Sequence, residues 1–224
     1  MTFFDIMKHT DLTNLNPTAT HDDMVSLIND ACTYKAYSVC VPLYYTLFVH
    51  DAIPLVAKEG YAPKICTVVG FPHGNTMPQV KMFEAAHAVA CGADEVDMVM
   101  NLGAIKERNT EFLLSEINNV AEACQGRVLK VIIETSMLSD EEIIYASQIV
   151  ARSAADYIQT STGCDGRSAY HDIKLIRQHV DGKKIKVIHE MHSLGWAHDL
   201  VNAGADRIGS CNIIKNYESS LNHA

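Results

Sequence analysis

The sequence lacks several features that would place it in a specialised class of protein. Its N-terminus, MTFFDIMKHTD, has no basic-then-apolar signal pattern, and no apolar run approaches the length of a membrane span. Basic residues are not in excess either, because 18 Lys and Arg stand against 27 Asp and Glu, a formal net charge of −9. We therefore expect a cytoplasmic protein whose main partners are neither nucleic acid nor membrane.

Paired cysteines are also absent. The seven cysteines are scattered, without a CxxC pair, at Cys32, Cys40, Cys66, Cys91, Cys124, Cys164 and Cys211. An odd count without metal-binding spacing is typical of reduced thiols in the cytoplasm. The chain has no linker and no low-complexity tract, and 224 residues suffice for one sizeable core. We expect residues 1–224 to form a single domain.

Short β-rich runs alternate along the chain with stretches of helical periodicity, such as QVKMFEAAHAVACG and EEIIYASQIVARSA. The predicted strands are Ile6–Thr10, Ser38–Val41, Lys64–Val69, Glu95–Met100, Leu129–Glu134, Asp156–Thr160, Lys184–His189 and Asp206–Gly209. Eight βα units in a chain of this size predict an α/β fold, the (β/α)₈ TIM barrel. A doubly wound sheet is the alternative, but its first turn would need glycine, and TDLTNLNP has none.

Helix boundaries are also readable. Thr110 begins a helical stretch, and Ser139 with Glu142 three residues later forms a capping-box pattern. In GADEVD and GADRIG, a glycine ends a helix directly before the next strand.

Reactive groups of a (β/α)₈ barrel lie at the carboxyl ends of its strands. Asp97 in EVDMVM and Lys130 in LKVIIET fall within two neighbouring strands, so we expect them to meet inside the barrel. A buried ion pair adds little stability, which favours a catalytic proton relay over a structural pair. The turn TSTG after strand six and the sequence GSCN, with Ser210, offer hydroxyl and N–H donors to a phosphate or a sugar.

The sequence resembles the deoxyribose-phosphate aldolases over nearly its whole length. The motifs that carry the resemblance are TDLTNLNP, SVCVP, TVVGFPHGN, GADEVDMVMNLGA, KVIIET, TSTG and GADRIGS, in matching order and spacing. The resemblance implies a (β/α)₈ barrel and a lyase of carbohydrate metabolism that reversibly cleaves 2-deoxyribose 5-phosphate to acetaldehyde and glyceraldehyde 3-phosphate. It also implies a lysine Schiff base and no metal or other cofactor.

The resemblance assigns roles to individual positions. It implies proton relay for Asp97, assistance near the substrate for Lys130, and pocket or phosphate contacts for Thr13, Cys40, Thr162 and Gly163. It places the family's Schiff-base lysine at Gln159, whose carboxamide cannot add to an aldehyde.

Strand seven, KKIKVIHEMHS, also departs from the family pattern of a lysine followed by a Gly-Gly turn. Counting back from GADRIG puts Lys186 at the lysine position, whereas the apolar alternation puts Ile188 there. His189 and Glu190 stand about where the glycine pair is expected, and a glutamate there would repel phosphate.

Four hypotheses follow for the activity. An aldolase with a relocated nucleophile would use Lys130 or Lys186 on a small aldehyde or sugar. A non-covalent isomerase, epimerase or dehydratase would use His73, His189 or Glu134 as acid or base, with Gln159 holding a substrate oxygen.

The third hypothesis is a divalent metal site. It would use the HEMH sequence, with His189, Glu190 and His192, together with Glu134 or Asp97. The fourth is a catalytically inactive binding protein. We favour the aldolase-like lyase, and expect a possible homodimer.

Overall fold

Eight parallel strands close into a barrel in which each strand pairs with its neighbours in chain order and β8 pairs with β1. The structure, a computed structural model, describes residues 2–57, 60–163, 169–188 and 194–221. The strands are β1 Thr10–Thr13, β2 Ser38–Val41, β3 Lys64–Val69, β4 Glu95–Val99, β5 Val128–Ile132, β6 Tyr157–Gln159, β7 Lys184–Ile188 and β8 Arg207–Ser210. The predicted (β/α)₈ barrel is confirmed, and the doubly wound alternative is wrong.

Helices surround the barrel. They are α1 Phe3–Met7, α2 His21–Tyr34, α3 Thr46–Ala57, α4 Pro78–Ala90, α5 Leu102–Lys106, α6 Thr110–Ala123, α7 Asp140–Arg152, α8 Ala169–Arg177, α9 Leu194–Asn202 and α10 Ile213–Leu221. In the part of the chain that the structure describes, no helix is both long and apolar enough to cross a membrane.

The first predicted strand, Ile6–Thr10, was wrong. Phe3–Met7 forms α1 instead, and the strand begins at Thr10. Thr2 and Asp5 form a capping box at the start of this helix, and Phe3, Ile6 and Met7 are buried at helical spacing. Apolar residues three and four positions apart therefore outweighed the strand pattern.

The predicted helix ends are confirmed. Ser139 accepts a hydrogen bond from the backbone of Glu142, and the Glu142 side chain accepts one from the backbone of Ser139. Gly92 and Gly204 adopt φ angles of 92° and 105° directly before β4 and β8. Glycine enters this left-handed region without a side-chain clash, so each helix turns immediately into the next strand.

The apolar core lies between the barrel and its helices. Residues that point outward from the strands, such as Val39, Val131 and Ile158, are fully buried against helical residues such as Ile28 and Ile117. Because strand side chains alternate, the intervening residues point into the barrel, and many of those are polar.

A buried ion pair anchors the loop that follows β3. The Lys81 Nζ lies 2.7 Å from Glu116 Oε1 and donates to the Val99 carbonyl at 2.8 Å, and both charged side chains have no exposed surface. A Cβ atom at Gly70 would come within 2.8 Å of Lys81 Cε, so the lysine stem lies directly under this glycine. The pair therefore holds the loop beside the carboxyl ends of β3 and β4.

Lys81→Met is expected to lower the free energy of unfolding by about 3–5 kcal/mol, because it leaves the Glu116 carboxylate buried without its cation. Urea titration followed by circular dichroism measures the loss. Lys106→Met is the matched control: its half-exposed ion pair with Glu142 predicts a change of less than about 1 kcal/mol. Equal losses in the two variants would contradict a structural role for the buried pair.

Candidate active site

A cavity of about 1030 Å³ opens at the carboxyl ends of the strands, the end at which barrel enzymes carry their reactive groups. Its described lining is Thr13, Asn14, Leu15, Asn16, Pro17, Asp23, Ser26, Leu27, Asp30, Phe71, Pro72, Thr162, Gly163, Ile188, Gly209, Ser210 and Cys211. Thr13, Thr162, Gly163 and Ser210, which the sequence proposed for substrate binding, therefore share one cavity.

Six charged side chains fill the barrel below this cavity. We call them the buried ion cluster: Asp11, Glu95, Asp97, Lys130, Lys186 and Arg207. Each is at most 3% exposed. The strands position them by alternation, since Glu95 and Asp97 stand two residues apart on β4 and point to the same side.

Lys130 lies at the centre of the acidic groups. Its Nζ is 2.6 Å from Glu95 Oε2, 2.8 Å from Asp97 Oδ1 and 3.8 Å from Asp11 Oδ2. It also donates to the Cys66 sulfur at 3.3 Å. The contact between Asp97 and Lys130 that the adjacent strands led us to expect is thus present.

Lys186 and Arg207 complete the cluster. The Lys186 Nζ is 2.6 Å from both Asp97 Oδ2 and Asp11 Oδ2. Arg207 Nη1 is 2.7 Å from Asp11 Oδ1 and 3.2 Å from Glu95 Oε2. Three carboxylates therefore face three cations, and the cluster is formally neutral.

The cluster fixes the protonation states of its members. Burial would lower the pKa of each lysine, but the adjacent carboxylates outweigh burial and hold the pKa of Lys130 and of Lys186 above the usual lysine value. Burial would raise the pKa of Asp97, but Lys130 and Lys186 outweigh it and lower that pKa. At neutral pH both amines are therefore ammonium ions and Asp97 is ionised.

Gln159 ends β6 inside the barrel, beside the cluster. Its Cα pairs with that of Lys186 on the neighbouring strand, and its side chain is almost fully buried. The carboxamide Nε2 donates to the Ser161 carbonyl at 3.0 Å. Its Oε1 accepts no hydrogen bond from any residue that the structure describes.

The register between β6 and β7 shows which residues of β7 point into the barrel. Lys186 lies opposite Gln159, and Ile188 occupies the next inward position, one layer nearer the cavity. A Cβ atom at Gly209 would come within 2.7 Å of Ile188 Cγ1 and 3.4 Å of Lys186 Cε. The isoleucine thus packs directly beside the lysine and forms part of the cavity floor.

Glu134 ties together the turns that follow β5 and β6. Its Oε2 accepts a hydrogen bond from the Thr162 backbone N–H at 2.9 Å and another from Thr162 Oγ1, and its Oε1 accepts one from Ser136 Oγ at 2.8 Å. Glu134 follows the end of β5 with a left-handed φ of 53°, rather than continuing the strand as predicted. This conformation turns the carboxylate toward the TSTG turn.

A second cavity, of about 480 Å³, lies beside the first and shares Pro72 and Thr162 with it. Glu134 and His73, both named from the sequence as possible acids or bases, line this second cavity. Gly209 and Ser210, by contrast, are among the described lining of the first cavity and not of the second.

The remaining predicted residues fall in two groups. Cys40 is fully buried and packs with Cys66 and Val68, and it is not among the described residues that line either cavity. His189, Glu190 and His192 lie outside the described residues.

Sequence reasoning missed Glu95 and Arg207. The signal for Glu95 was present, since it stands two residues before Asp97 and must share its face of the strand. Arg207 gave no such signal, because the predicted strand Asp206–Gly209 begins with two charged residues that resemble a surface loop.

The described residues include two groups with enough ligand atoms for a metal ion. They are Cys40 with Cys66 and Asp97, and Asp11 with Cys66 and Glu95. Burial raises the pKa of the Cys66 thiol, whereas a metal needs the thiolate. The carboxylates are already bound by the lysines of the buried ion cluster, so neither group suits a cation.

Comparison with known proteins agrees with this geometry. Residues 6–205 match the model of the DeoC/LacD family aldolases. The chain is 39% identical over 213 residues to a deoxyribose-phosphate aldolase of Streptococcus pyogenes, covering 94% of this chain and 93% of the relative. It is 41% identical over 215 residues to one of Caldicellulosiruptor saccharolyticus, covering 94% and 96%.

Solved structures extend the likeness. An aldolase called QR15 superimposes with a TM-score of 0.87 at 32% identity, covering 98% of this chain and 97% of that one. The deoxyribose-phosphate aldolase of Aeropyrum pernix, described as a unique tetramer, gives 0.88 at 26% identity, covering 100% and 94%. On its sequence, its barrel and its cavity, the chain belongs to the deoxyribose-phosphate aldolase family of carbon–carbon lyases.

Proposed function

We propose that the protein is a lyase that forms or breaks a carbon–carbon bond in a small aldehyde or sugar without a lysine Schiff base. Gln159 takes the place of the family's reactive lysine in this proposal. The observation that carries it is the state of the two lysines named as replacement nucleophiles: Lys130 and Lys186 are both buried and bound between carboxylates.

Schiff-base formation requires a neutral amine with room for an aldehyde. Lys130 and Lys186 have no exposed surface, and their carboxylate neighbours raise the pKa of each. Deprotonating either one would leave carboxylates buried without a cation, which is strongly unfavourable. Neither lysine is therefore a suitable replacement nucleophile.

The same groups suit a non-covalent reaction. In aldol cleavage, a base removes the proton of the β-hydroxyl, and that oxygen becomes the carbonyl of the departing aldehyde as the carbon–carbon bond breaks. The electron pair of the bond forms an enolate with the other carbonyl group, and the enolate carbon then takes up a proton. The Gln159 amide is a donor for the carbonyl oxygen, on which negative charge develops. Asp97, ionised between both lysines, fits the proton relay that the family resemblance implies.

The first prediction concerns covalent trapping. Wild-type protein treated with acetaldehyde and borohydride is expected to form no stable adduct at Lys130 or Lys186, whereas Gln159→Lys is expected to form one at residue 159. The new amine would lie beside the Lys186 cation, and this like charge lowers its pKa and increases the neutral fraction. Intact mass and peptide mapping measure the adduct, with Gln159→Met as the control.

An adduct on Lys130 or Lys186 of the wild type would contradict this prediction and restore the relocated-nucleophile hypothesis. The same trapping with 2-deoxyribose 5-phosphate tests whether the result depends on the aldehyde chosen.

The second prediction concerns the proton relay. Asp97→Asn and Lys130→Met are each expected to reduce the rate of aldehyde release or condensation by about 10²-fold or more, the usual contribution of a placed acid or base. Both reactions are followed by coupled reduction of the aldehyde, and circular dichroism checks folding. Lys106→Met, at the surface, is the control with unchanged rate. A folded Asp97→Asn variant with wild-type rate would remove Asp97 from the mechanism.

A second candidate function is an isomerase or epimerase that moves a proton beside a carbonyl. The observation that favours it is the second cavity, whose lining includes both Glu134 and His73. A carboxylate and an imidazole are a sufficient pair for proton removal and return.

Exchange of α-protons in D₂O separates the two candidates. The lyase is expected to exchange the methyl protons of acetaldehyde and to release or condense aldehydes, with both activities lost in Asp97→Asn. Exchange or epimerisation of a sugar without cleavage, lost in Glu134→Gln and retained in Asp97→Asn, would establish the second candidate instead.

A further inference from the structure

Side chains rather than backbone hold the turn that follows β6. The regular hydrogen bonding of the barrel ends at Thr160, whose N–H donates to the Lys186 carbonyl at 3.0 Å and whose carbonyl accepts from the Thr135 N–H at 2.8 Å. Among the residues that the structure describes, the next two, Ser161 and Thr162, have no backbone–backbone hydrogen bond. Their peptide groups therefore depend on side chains for hydrogen-bond partners.

The peptide unit between Ser161 and Thr162 is bound by a side chain at each end. Its N–H, which belongs to Thr162, donates to Glu134 Oε2 at 2.9 Å. Its carbonyl, which belongs to Ser161, accepts from Gln159 Nε2 at 3.0 Å. A peptide unit is planar and rigid, because its C–N bond has partial double-bond character. The position of the Glu134 carboxylate therefore determines the position of the carbonyl to which the Gln159 amide is bound.

The carboxylate also strengthens the hydrogen bond at the other end of the unit. An anion that accepts from an N–H polarises the peptide group, so the carbonyl oxygen of the same group becomes a better acceptor. Glu134 and Gln159 are only 3% and 1% exposed, so water competes little for either bond. The link from Glu134 through one peptide unit to Gln159 is therefore both rigid and electrostatically coupled.

Glu134 is itself held in place. Ser136 Oγ donates to its Oε1 at 2.8 Å, and Thr162 Oγ1 donates a second hydrogen bond to its Oε2. Its backbone has a left-handed φ of 53°, which a residue with a Cβ atom adopts only where its surroundings enforce it. Backbone strain of this kind is concentrated at functional sites, so the conformation points to a role for this carboxylate in the site.

The turn is also bound to β7, but through different atoms. Ser161 Oγ donates to the Ile188 carbonyl at 3.1 Å, and the Ile188 N–H donates to Thr160 Oγ1 at 3.2 Å. These bonds join side chains of the turn to β7 and do not bind the peptide unit that Gln159 contacts. Rotation of that unit is opposed instead by Glu134, which binds its N–H.

We propose that Glu134 is a positioning residue, which holds the Gln159 carboxamide in the orientation that donates to the carbonyl oxygen of the ligand. This inference rests on the proposed lyase function for the role of the Gln159 amide. One hydrogen of Nε2 is bound to Ser161, and because a carboxamide is planar, the direction of the other is then fixed. Glu134 exchanges no proton in this role, in contrast to the acid or base of the isomerase hypothesis.

Two substitutions separate positioning from proton transfer. Glu134→Leu removes the acceptor for Thr162 and is expected to lower kcat for aldehyde release or condensation by about tenfold or more, because a misplaced donor stabilises the transition state poorly. Glu134→Gln keeps a carbonyl oxygen for the Thr162 donors, and Ser136 Oγ can accept from its NH₂ group. It is therefore expected to restore kcat to within about threefold of the wild type, whereas loss of a base would cost about 10²-fold.

Glu122→Leu is the matched control for the chemical change. Glu122 is exposed near the end of α6, which directly precedes β5 and so lies at the opposite end of the barrel from the site. Its kcat is expected to equal that of the wild type. Urea titration followed by circular dichroism checks that every variant is folded.

Glu134→Asp is a second variant in case Glu134→Leu does not fold. It keeps the charge but shortens the side chain by one methylene, and aspartate tolerates a left-handed φ better than most residues. Because its carboxylate cannot reach Thr162 without moving the peptide unit, the expected loss in kcat is again about tenfold. Positioning therefore predicts that Gln replaces Glu134 better than Asp does.

The effect of Glu134 is expected to require the carboxamide through which it acts. In a Gln159→Met background, Glu134→Leu is expected to change kcat by less than about twofold, so the two losses are not additive. A loss caused by general destabilisation would be equal in the two backgrounds.

The carboxamide can also be observed without catalysis. The ¹H–¹⁵N resonances of the Gln159 side chain are assigned by their loss in Gln159→Met. In Glu134→Leu and Glu134→Asp the proton of the bond to Ser161 is expected to shift upfield, because that hydrogen bond weakens. In Glu134→Gln it is expected to stay close to its wild-type position.

A Glu134→Gln variant as impaired as Glu134→Leu, or additive losses in the Gln159→Met background, would overturn the inference. A Gln159 resonance that neither Glu134→Leu nor Glu134→Asp moves would overturn it as well. If the resonance shifts as expected but the wild type neither releases nor condenses aldehydes, the proposed function fails and the positioning of Gln159 by Glu134 stands.

Discussion

The structure depends on charge neutrality inside the barrel. Barrel interiors are usually filled by layers of branched apolar side chains. Here six ionised groups take that space, and each one is acceptable only because the others are present. Removing any single member leaves an opposite charge buried, so the cluster acts as a unit. A substitution at the edge of the cluster is therefore tolerated only if the charges inside the barrel still balance.

Gln159 is consistent with that constraint. Three carboxylates already match three cations, and a carboxamide beside Lys186 adds no charge to the total. A lysine at this position would add a fourth positive charge, which is what a reactive amine with a low pKa requires. Glutamine instead leaves Lys186 fully paired with Asp11 and Asp97. The charges inside the barrel therefore balance with a neutral residue at the edge of the cluster.

Much of the fold followed from the sequence alone. Seven of the eight strands were placed correctly to within a few residues, and the helix start at Ser139 and the glycine junctions at Gly92 and Gly204 were identified, because alternation and capping act locally. The first strand was misplaced, since a five-residue helix with a capping box precedes it. Local patterns compete at such a point, and packing of Phe3 and Ile6 decided the outcome.

The site was predictable only where neighbouring strands meet. Asp97 and Lys130 lie on adjacent strands, so their contact followed from strand order. The contact between Lys186 and Asp97 joins β7 to β4 across the barrel interior, and no rule of chain order predicts it. The left-handed turn at Glu134 was equally hidden, because its cause is the hydrogen bonding to Thr162. Contacts of this kind join distant parts of the chain, so they can be identified only from the three-dimensional structure.

The ion pair between Asp11 and Arg207 joins residues that are 196 positions apart, at the first and last strands. A chain emerging from the ribosome therefore presents Asp11 long before its partner has been made. Until β8 is added, a partly formed barrel would hold this carboxylate without one of its cations, at a large desolvation penalty. Nascent chains and C-terminal truncations thus have no low-energy closed state, and the barrel becomes a stable object only when its last strand arrives.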